Sequence, residues 1–306
     1  DRTPAAYRYL DFDREGATPG PITAGLADGS QWGDAEGGSA RRLFAGCPGV
    51  VRRLGAKGLA MTRLVLVRHG QSVGNNEHRF SGWTDLGLTE KGAEESRQCG
   101  RLLAGAGYEF DTCFTSVLAR SVDAGRHVLD AMGQSELPLT RSWRLNERHF
   151  GALQGLNRSQ GVRKFGLLKI WRLQRSYTIA PPALDEDDPR SPRVDPLYTQ
   201  IPVAGKDLPL GESLEDTYAR VIPYWESAIG PELREGRRIL IAAHKNSLRA
   251  LIKHIEELSD QDAVHLQIVT GQPIIYRMDS DLRAVERLSI GKPARKFFRF
   301  IGISPA

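Results

Sequence analysis

Two histidines in this 306-residue chain each follow an apolar run and stand beside a basic residue: Val67-Arg68-His69-Gly70 and Ala243-His244-Lys245-Asn246. A neutral imidazole is a competent nucleophile toward phosphorus, and guanidinium groups bind phosphate oxygens bidentately. A third apolar run ends near Ser116 and leads into Arg120. If these runs are strands of one sheet that end on the same edge, Arg68, His69, Arg120 and His244 form a positive pocket. Its natural ligand is a phosphate. One strand-end histidine would read as structural; two, each with an arginine near, read as a site.

The elements needed to hold them there are legible. Leu64-Val-Leu-Val67 and Arg238-Ile-Leu-Ile-Ala-Ala243 are continuously apolar, as strands buried on both faces are. Phe110–Thr115 and Pro273–Met278 read as further strands. Thr89 caps a helix through Leu103, stopped by Gly105 and Gly107, and a second helix covers Arg120–Met132. Ser213 and Asp216 form a capping box before a helix through Ile229, and another helix runs from Asn246 to Glu257. Alternating strands and helices predict an α/β fold with a mostly parallel central sheet and helices on both faces. Ligands then collect at the carboxyl ends of the strands.

Residues 1–60 are Gly- and Ala-rich without sustained periodicity. They read as a poorly ordered extension ahead of a start at Met61. The Arg-rich, acid-free stretch Ser39–Leu54 also suits an organellar (plastid or mitochondrial) targeting segment, so the compartment is cytoplasmic on the first reading and an organelle on the second. The catalytic domain is expected over 61–306, with a Pro-rich, acidic, irregular excursion at about 178–211. Three cysteines without CxxC spacing (Cys47, Cys99, Cys113) argue against a disulfide framework or a thiolate zinc site. A net charge of +5, from 42 basic and 37 acidic residues, suits small anions and is too diffuse for nucleic acid. No apolar window approaches the roughly 18 residues of a membrane span.

The segments Leu64-Val-Leu-Val-Arg-His-Gly-Gln-Ser72, Arg79-Phe-Ser-Gly-Trp83, Thr115-Ser-Val-Leu-Ala-Arg120, Trp143–Asn157 and Leu240–Leu251 resemble the cofactor-dependent phosphoglycerate mutases of the histidine phosphatase superfamily. The resemblance runs from about Arg63 to Gly291, and the block Trp143–Asn157 is its most specific part. It implies an isomerase that interconverts 3- and 2-phosphoglycerate in glycolysis and gluconeogenesis through a phosphohistidine. 2,3-Bisphosphoglycerate would be the priming phosphoryl donor, with no metal. The alternatives are a bisphosphoglycerate-handling mutase or phosphatase relative, and a degenerate member that binds anions or partners without catalysis. His69 is the expected nucleophile and Glu147 the acid/base. Arg68, Arg120 and His244 would neutralise the transferring phosphoryl group. The resemblance implies ligand contacts from Ser72, Asn75, Ser81, Gly82, Arg148, Arg158, Arg175 and Asn246. The motifs add Gly70, Gln71, His149, Phe150, Gln174 and Lys245 to the candidate set. Expected partners are small phosphoglycerates and, as a homo-oligomer, a dimer or tetramer; neither nucleic acid nor a membrane is expected.

Several positions depart from the family pattern. Lys245 stands where the family has Gly, which costs close backbone approach and adds a charge. Phe150 replaces Tyr, Gly74 replaces Trp, and Ala119 replaces a basic residue. The family's paired arginines fall either on Gln174-Arg175 or, with a shifted gap, on Arg172 and Arg175. The tail Lys292–Ala306 differs from the family's water-excluding tail, which bears on the balance of mutase and phosphatase activity. Trp83, Trp143, Trp171 and Trp225 are expected in the core, and His149, beside Glu147, in a core or hydrogen-bonded structural role rather than a catalytic one.

Overall fold

The computed structural model describes residues 7–10, 62–199 and 208–290. Seven strands form one sheet: β1 (Tyr7–Leu10), β2 (Thr62–Arg68), β3 (Thr112–Thr115), β4 (Leu139–Arg141), β5 (Ile239–Ala243), β6 (Pro273–Met278) and β7 (Ala284–Ile290). Their order is β1-β7-β6-β2-β5-β3-β4. β2, β5, β3 and β4 run parallel, β6 is antiparallel to both its neighbours, and β1 pairs parallel with β7. The helices are α1 (Val73–Asn76), α2 (Glu90–Gly105), α3 (Ala119–Ala131), α4 (Arg158–Phe165), α5 (Leu167–Arg175), α6 (Pro196–Thr199), α7 (Leu214–Tyr224), α8 (Gly230–Arg234), α9 (Lys245–Ile255) and α10 (Asp260–His265).

The apolar runs are continuous because both faces of the central strands are covered. Leu64 and Leu66 of β2 and Ile239 and Ile241 of β5 pack with Val221, Leu233 and Leu251 from α7, α8 and α9. Val65, Val67 and Leu240 point the other way, onto Cys99 and Leu103 of α2 and Val128 and Leu129 of α3. Every one of these residues is fully buried or nearly so. The predicted α/β architecture, mostly parallel with helices on both faces, is therefore the observed one.

Thr89 caps α2 by accepting from Gly92 N, and Ser213 and Asp216 form the reciprocal capping box of α7. The helix expected through Ile229 turns π-helical at Trp225–Ile229, shortly after Pro223. The β3 ladder begins at Thr112 rather than Phe110, whose side chain is buried in the core. The excursion at 178–211 carries the short helix α6, and residues 200–207 within it lie outside the described residues. The extension expected over 1–60 lies outside them too, except for edge strand β1, and so does the tail Lys292–Ala306. No helix among the described residues is long and apolar enough to cross a membrane.

Candidate active site

The parallel register sets the carboxyl ends of β2, β5 and β3 side by side: Arg68 pairs with Ala243, and Thr115 with Ala242. The residues that follow these ends therefore meet. His69 N donates to Ala243 O at 3.0 Å, and the His69 and His244 rings meet edge to face, centroids 5.0 Å apart. Ser116, just past β3, lies 2.7 Å from His244 Nε2 through its hydroxyl. The strand-end grouping inferred from sequence is thus a physical cluster.

The loop after β2 is held by close backbone packing. A Cβ on Gly70 would stand 2.0 Å from Gly92 O, and one on Gly92 would stand 2.0 Å from Gln71 O. Only glycines let this loop settle on the first turn of α2. Gly74 is close-packed as well, against a side chain rather than backbone, because its Cβ would stand 1.9 Å from Ser81 Oγ. The family's Trp could not be seated at this position without moving Ser81.

A cavity of about 460 Å³ opens over the strand ends. Arg68, Arg79, Arg120, Arg148, Arg158, Arg175, Arg249 and Lys245 line it, against one carboxylate, Glu147. His69 lines it as well. Its Nδ1 donates to Gly70 O at 2.7 Å, since a carbonyl can only accept, and this leaves Nε2 as the ring's lone-pair nitrogen. Burial, then Arg120 and Arg68, push the His69 pKa well below the ordinary range, and His244 moves the same way for the same main reasons. Both rings are neutral.

Arg120 is 1% exposed and donates to Gly82 O and Thr84 O at 2.7 and 2.9 Å, which ties the Ser81–Thr84 turn to the site. Arg68 donates to Ile268 O at 2.8 Å. Glu147 Oε1 accepts from Arg148 N at 2.8 Å and from Asn246 N at 3.1 Å, so its carboxylate is seated on the first turn of α9. Arg68 Nε, Ser81 Oγ, Arg148 Nε and His244 Nδ1 are buried without a hydrogen-bond partner among the described residues. Buried donors in native folds are satisfied as a rule. Three of them line the cavity of cations, and His244 packs against His69, which lines it too; together they mark where an anion's oxygens belong.

Most expected ligand-contact residues line this cavity: Ser72, Asn75, Ser81 and Gly82 on one side, Arg148, Phe150 and Arg158 on another, Gln174, Arg175, Lys245 and Asn246 at the mouth. Gly70, Gln71 and His149 do not. Gly70 is spent on the contact with Gly92, and Gln71 takes the hydroxyl proton of Thr89 and donates its own N–H to Glu95. His149 is fully buried, accepts from Gly151 N at 3.0 Å and packs edge-on to Trp83; burial lowers its pKa to about 3. Its role is structural. Gln174 and Arg175 face the cavity, whereas Arg172 lines a separate depression with Leu167 and Leu168. Trp171 departs from its expected core position: it is 50% exposed, with the Arg175 guanidinium over its ring.

Two features escaped the sequence reading. Arg249, 8% exposed, lines the cavity one turn after Lys245, a spacing that places the pair on one helix face. A buried Arg220–Glu212 ion pair braces the segment bearing Glu147: Arg220 donates to the carbonyls of Arg144, Asn146 and Glu147, and Glu212 accepts from His149 N. Trp83 Nε1 also donates to Glu147 O, at 2.6 Å.

Solved structures of similar fold include proteins named as phosphatases. Mycobacterial glucosyl-3-phosphoglycerate phosphatase with VO3 superposes with a TM-score of 0.56 at 22% identity, over 74% of this chain and 97% of that one. Alpha-ribazole phosphatase from Shigella flexneri gives 0.58 at 21% identity, over 76% and 100%. YhfR of Bacillus stearothermophilus gives 0.54 at 23%, over 71% and 92%. The sequence pattern of the histidine phosphatase superfamily (branch 1) matches residues 64–204 and 193–291, well over half of the chain, and the chain belongs to this superfamily.

Proposed function

We propose that the protein is a phosphotransferase that removes the phosphoryl group of a small phosphorylated carboxylic acid through a phosphohistidine at His69, and passes it to water. The observation that carries this reading is the freed Nε2 of a neutral, buried His69 in a cavity of eight cations and one carboxylate. In the first half-reaction the Nε2 lone pair forms the N–P bond as the ester P–O bond breaks. Glu147, in its protonated form, gives its proton to the departing oxygen. In the second, Glu147 takes a proton from the attacking water, and the N–P electron pair returns to His69.

Arg68 and Arg120 stabilise charge on the equatorial oxygens. The Ser116 hydroxyl accepts from Leu118 N at 3.1 Å, so its own proton is available to His244 Nε2. That leaves His244 Nδ1–H, which has no partner among the described residues, to donate to a phosphoryl oxygen.

A second reading, interconversion of 3- and 2-phosphoglycerate, is favoured by the Arg148, Arg158 and Arg175 group. It is additional to Arg68 and Arg120 and suits a substrate carboxylate held while neighbouring oxygens exchange the phosphoryl group. The unsatisfied donors and the cation excess also suit 2,3-bisphosphoglycerate, which supplies the phosphoryl group that primes His69.

One assay separates the readings: 3-phosphoglycerate turnover followed as released phosphate and as 2-phosphoglycerate, with and without added 2,3-bisphosphoglycerate. Phosphate release without isomerisation supports the phosphatase. Isomerisation stimulated by the bisphosphate supports the mutase, and neither product rules out both.

A further inference from the structure

Lys245 begins α9 and Arg249 follows one turn later, and both line the cavity beside Arg148. Arg249 is locked, with Nε and Nη2 donating to Leu266 O at 3.0 and 2.8 Å and Nη1 to Asn246 Oδ1 at 3.3 Å. Arg148 is 6% exposed, and its Nε has no partner among the described residues. The Lys245 ammonium forms no hydrogen bond or salt bridge among them. The charged groups that face Lys245 are Arg249 on its own helix, Arg68 from the end of β2, and Arg148 and Glu147 from the braced segment. Three cations oppose one carboxylate there. Burial, then Arg249, Arg68 and Arg148, lower the Lys245 pKa to about 8 against the opposing pull of Glu147, and burial with Arg148 and Arg68 lowers Arg249 to about 10. A half-buried cluster of like charges is costly until an anion joins it.

We propose that Lys245, Arg249 and Arg148 form an anion subsite beside the phosphoryl-transfer centre, one that selects ligands with a second dianionic phosphate over those with a phosphate and a carboxylate alone. The proposal rests on the phosphoester reading of the same cavity. A carboxylate brings one charge and two oxygens, which leaves part of the cluster uncompensated. A phosphate brings two charges and three acceptor oxygens. Lysine serves it as a compact point charge.

The test is calorimetric binding of 2,3-bisphosphoglycerate and 3-phosphoglycerate to the full chain and to Lys245→Met and Lys245→Arg, at pH 7 and pH 9. At pH 7 the parent is expected to prefer the bisphosphate by about tenfold or more, and Lys245→Met to lose about tenfold of that preference. The parent's preference should shrink at pH 9, where Lys245 is mostly neutral. Lys245→Arg should keep it at both pH values, which separates lost charge from a damaged fold. A preference unchanged in Lys245→Met, or absent in a parent that binds both ligands, overturns the subsite. If a folded parent binds neither ligand, the phosphoester reading fails and takes the subsite with it.

Discussion

The imidazoles of His69 and His244 stand edge to face at 5.0 Å, both buried and both held neutral by burial and by Arg120. His149, with its pKa lowered to about 3, is a third buried neutral ring. In the unfolded chain each would take up a proton below about pH 6.5. The folded protein refuses these protons, so the unfolded state binds more of them and stability rises with pH. It is complete above about pH 6.5 and is lost as the pH falls, by up to about 1.4 kcal/mol per pH unit for each ring. Denaturant midpoints between pH 7.5 and pH 5 should fall accordingly. The slope should flatten by nearly one proton in His69→Gln; a midpoint insensitive to pH would show that the rings are not neutral.

Substitution of His69 by Ala removes the nitrogen that attacks phosphorus. It should abolish acid-labile labelling from a phosphorylated substrate and reduce turnover at least about 1000-fold. Circular dichroism should stay native, since the ring's one hydrogen bond is local, to Gly70 O. Label retained in this variant would place the phosphoryl group elsewhere.

Glu147→Gln tests proton transfer separately from binding. The amide oxygen can still accept from Arg148 N and Asn246 N, so the geometry at the start of α9 should persist. Substrate affinity should be retained while kcat falls roughly 100-fold or more. A leaving group of low pKa, such as a nitrophenyl phosphate, should recover much of the first step. If kcat stays normal, the acid/base is another group.

The central strands and the histidines at their ends were legible because burial on both faces leaves a mark, unbroken apolar runs that stop abruptly at Arg68-His69 and His244. Edge elements left none. Leu139–Arg141 of β4 is only three residues and partly solvated, and β7 reads Ala-Val-Glu-Arg-Leu-Ser-Ile with a charge pair at its centre. In the site, residue types were legible and orientations were not. Gln71 and His149 lie within the motifs yet turn to α2 and to Trp83, while Arg249, within the same motif as His244, turns inward. The fold decides which way each faces, through contacts between segments distant in sequence.

The Arg220–Glu212 pair is 8% and 2% exposed and spends its hydrogen bonds on the backbone around Glu147. Removing one partner strands a buried charge, so Glu212→Ala should cost about 3–5 kcal/mol of stability by denaturant titration. Arg220→Lys keeps the charge but cannot reach three carbonyls at once. Its stability loss should be smaller, while kcat falls more than KM changes, because Glu147 is displaced rather than removed. Loss confined to stability, with kcat intact, would make the brace purely structural.

Lys245→Gly restores the family's residue at the first position of α9. Two accounts of this lysine compete: over-tight binding, and a Cβ and stem that crowd the backbone, with a strained left-handed conformation as the cost. The strain in the second is absent: positive φ among the described non-glycine residues occurs at His78, Glu257 and Leu282, not at Lys245, and crowding alone would raise kcat in the glycine variant with KM held or lowered. What remains is an unpaired ammonium that tightens binding of the ligand in the ground state without helping the transition state. Binding of that kind lowers KM and retards product release without speeding the chemistry. The glycine variant should therefore show KM and kcat rising together, each by about threefold or more, with kcat/KM little changed. The rise in kcat should fade toward pH 9, where the parent's lysine is mostly neutral already. A variant slower than the parent at pH 7 would mean that Lys245 acts in the transition state, and that this chain has drawn it into the phosphoryl-transfer chemistry.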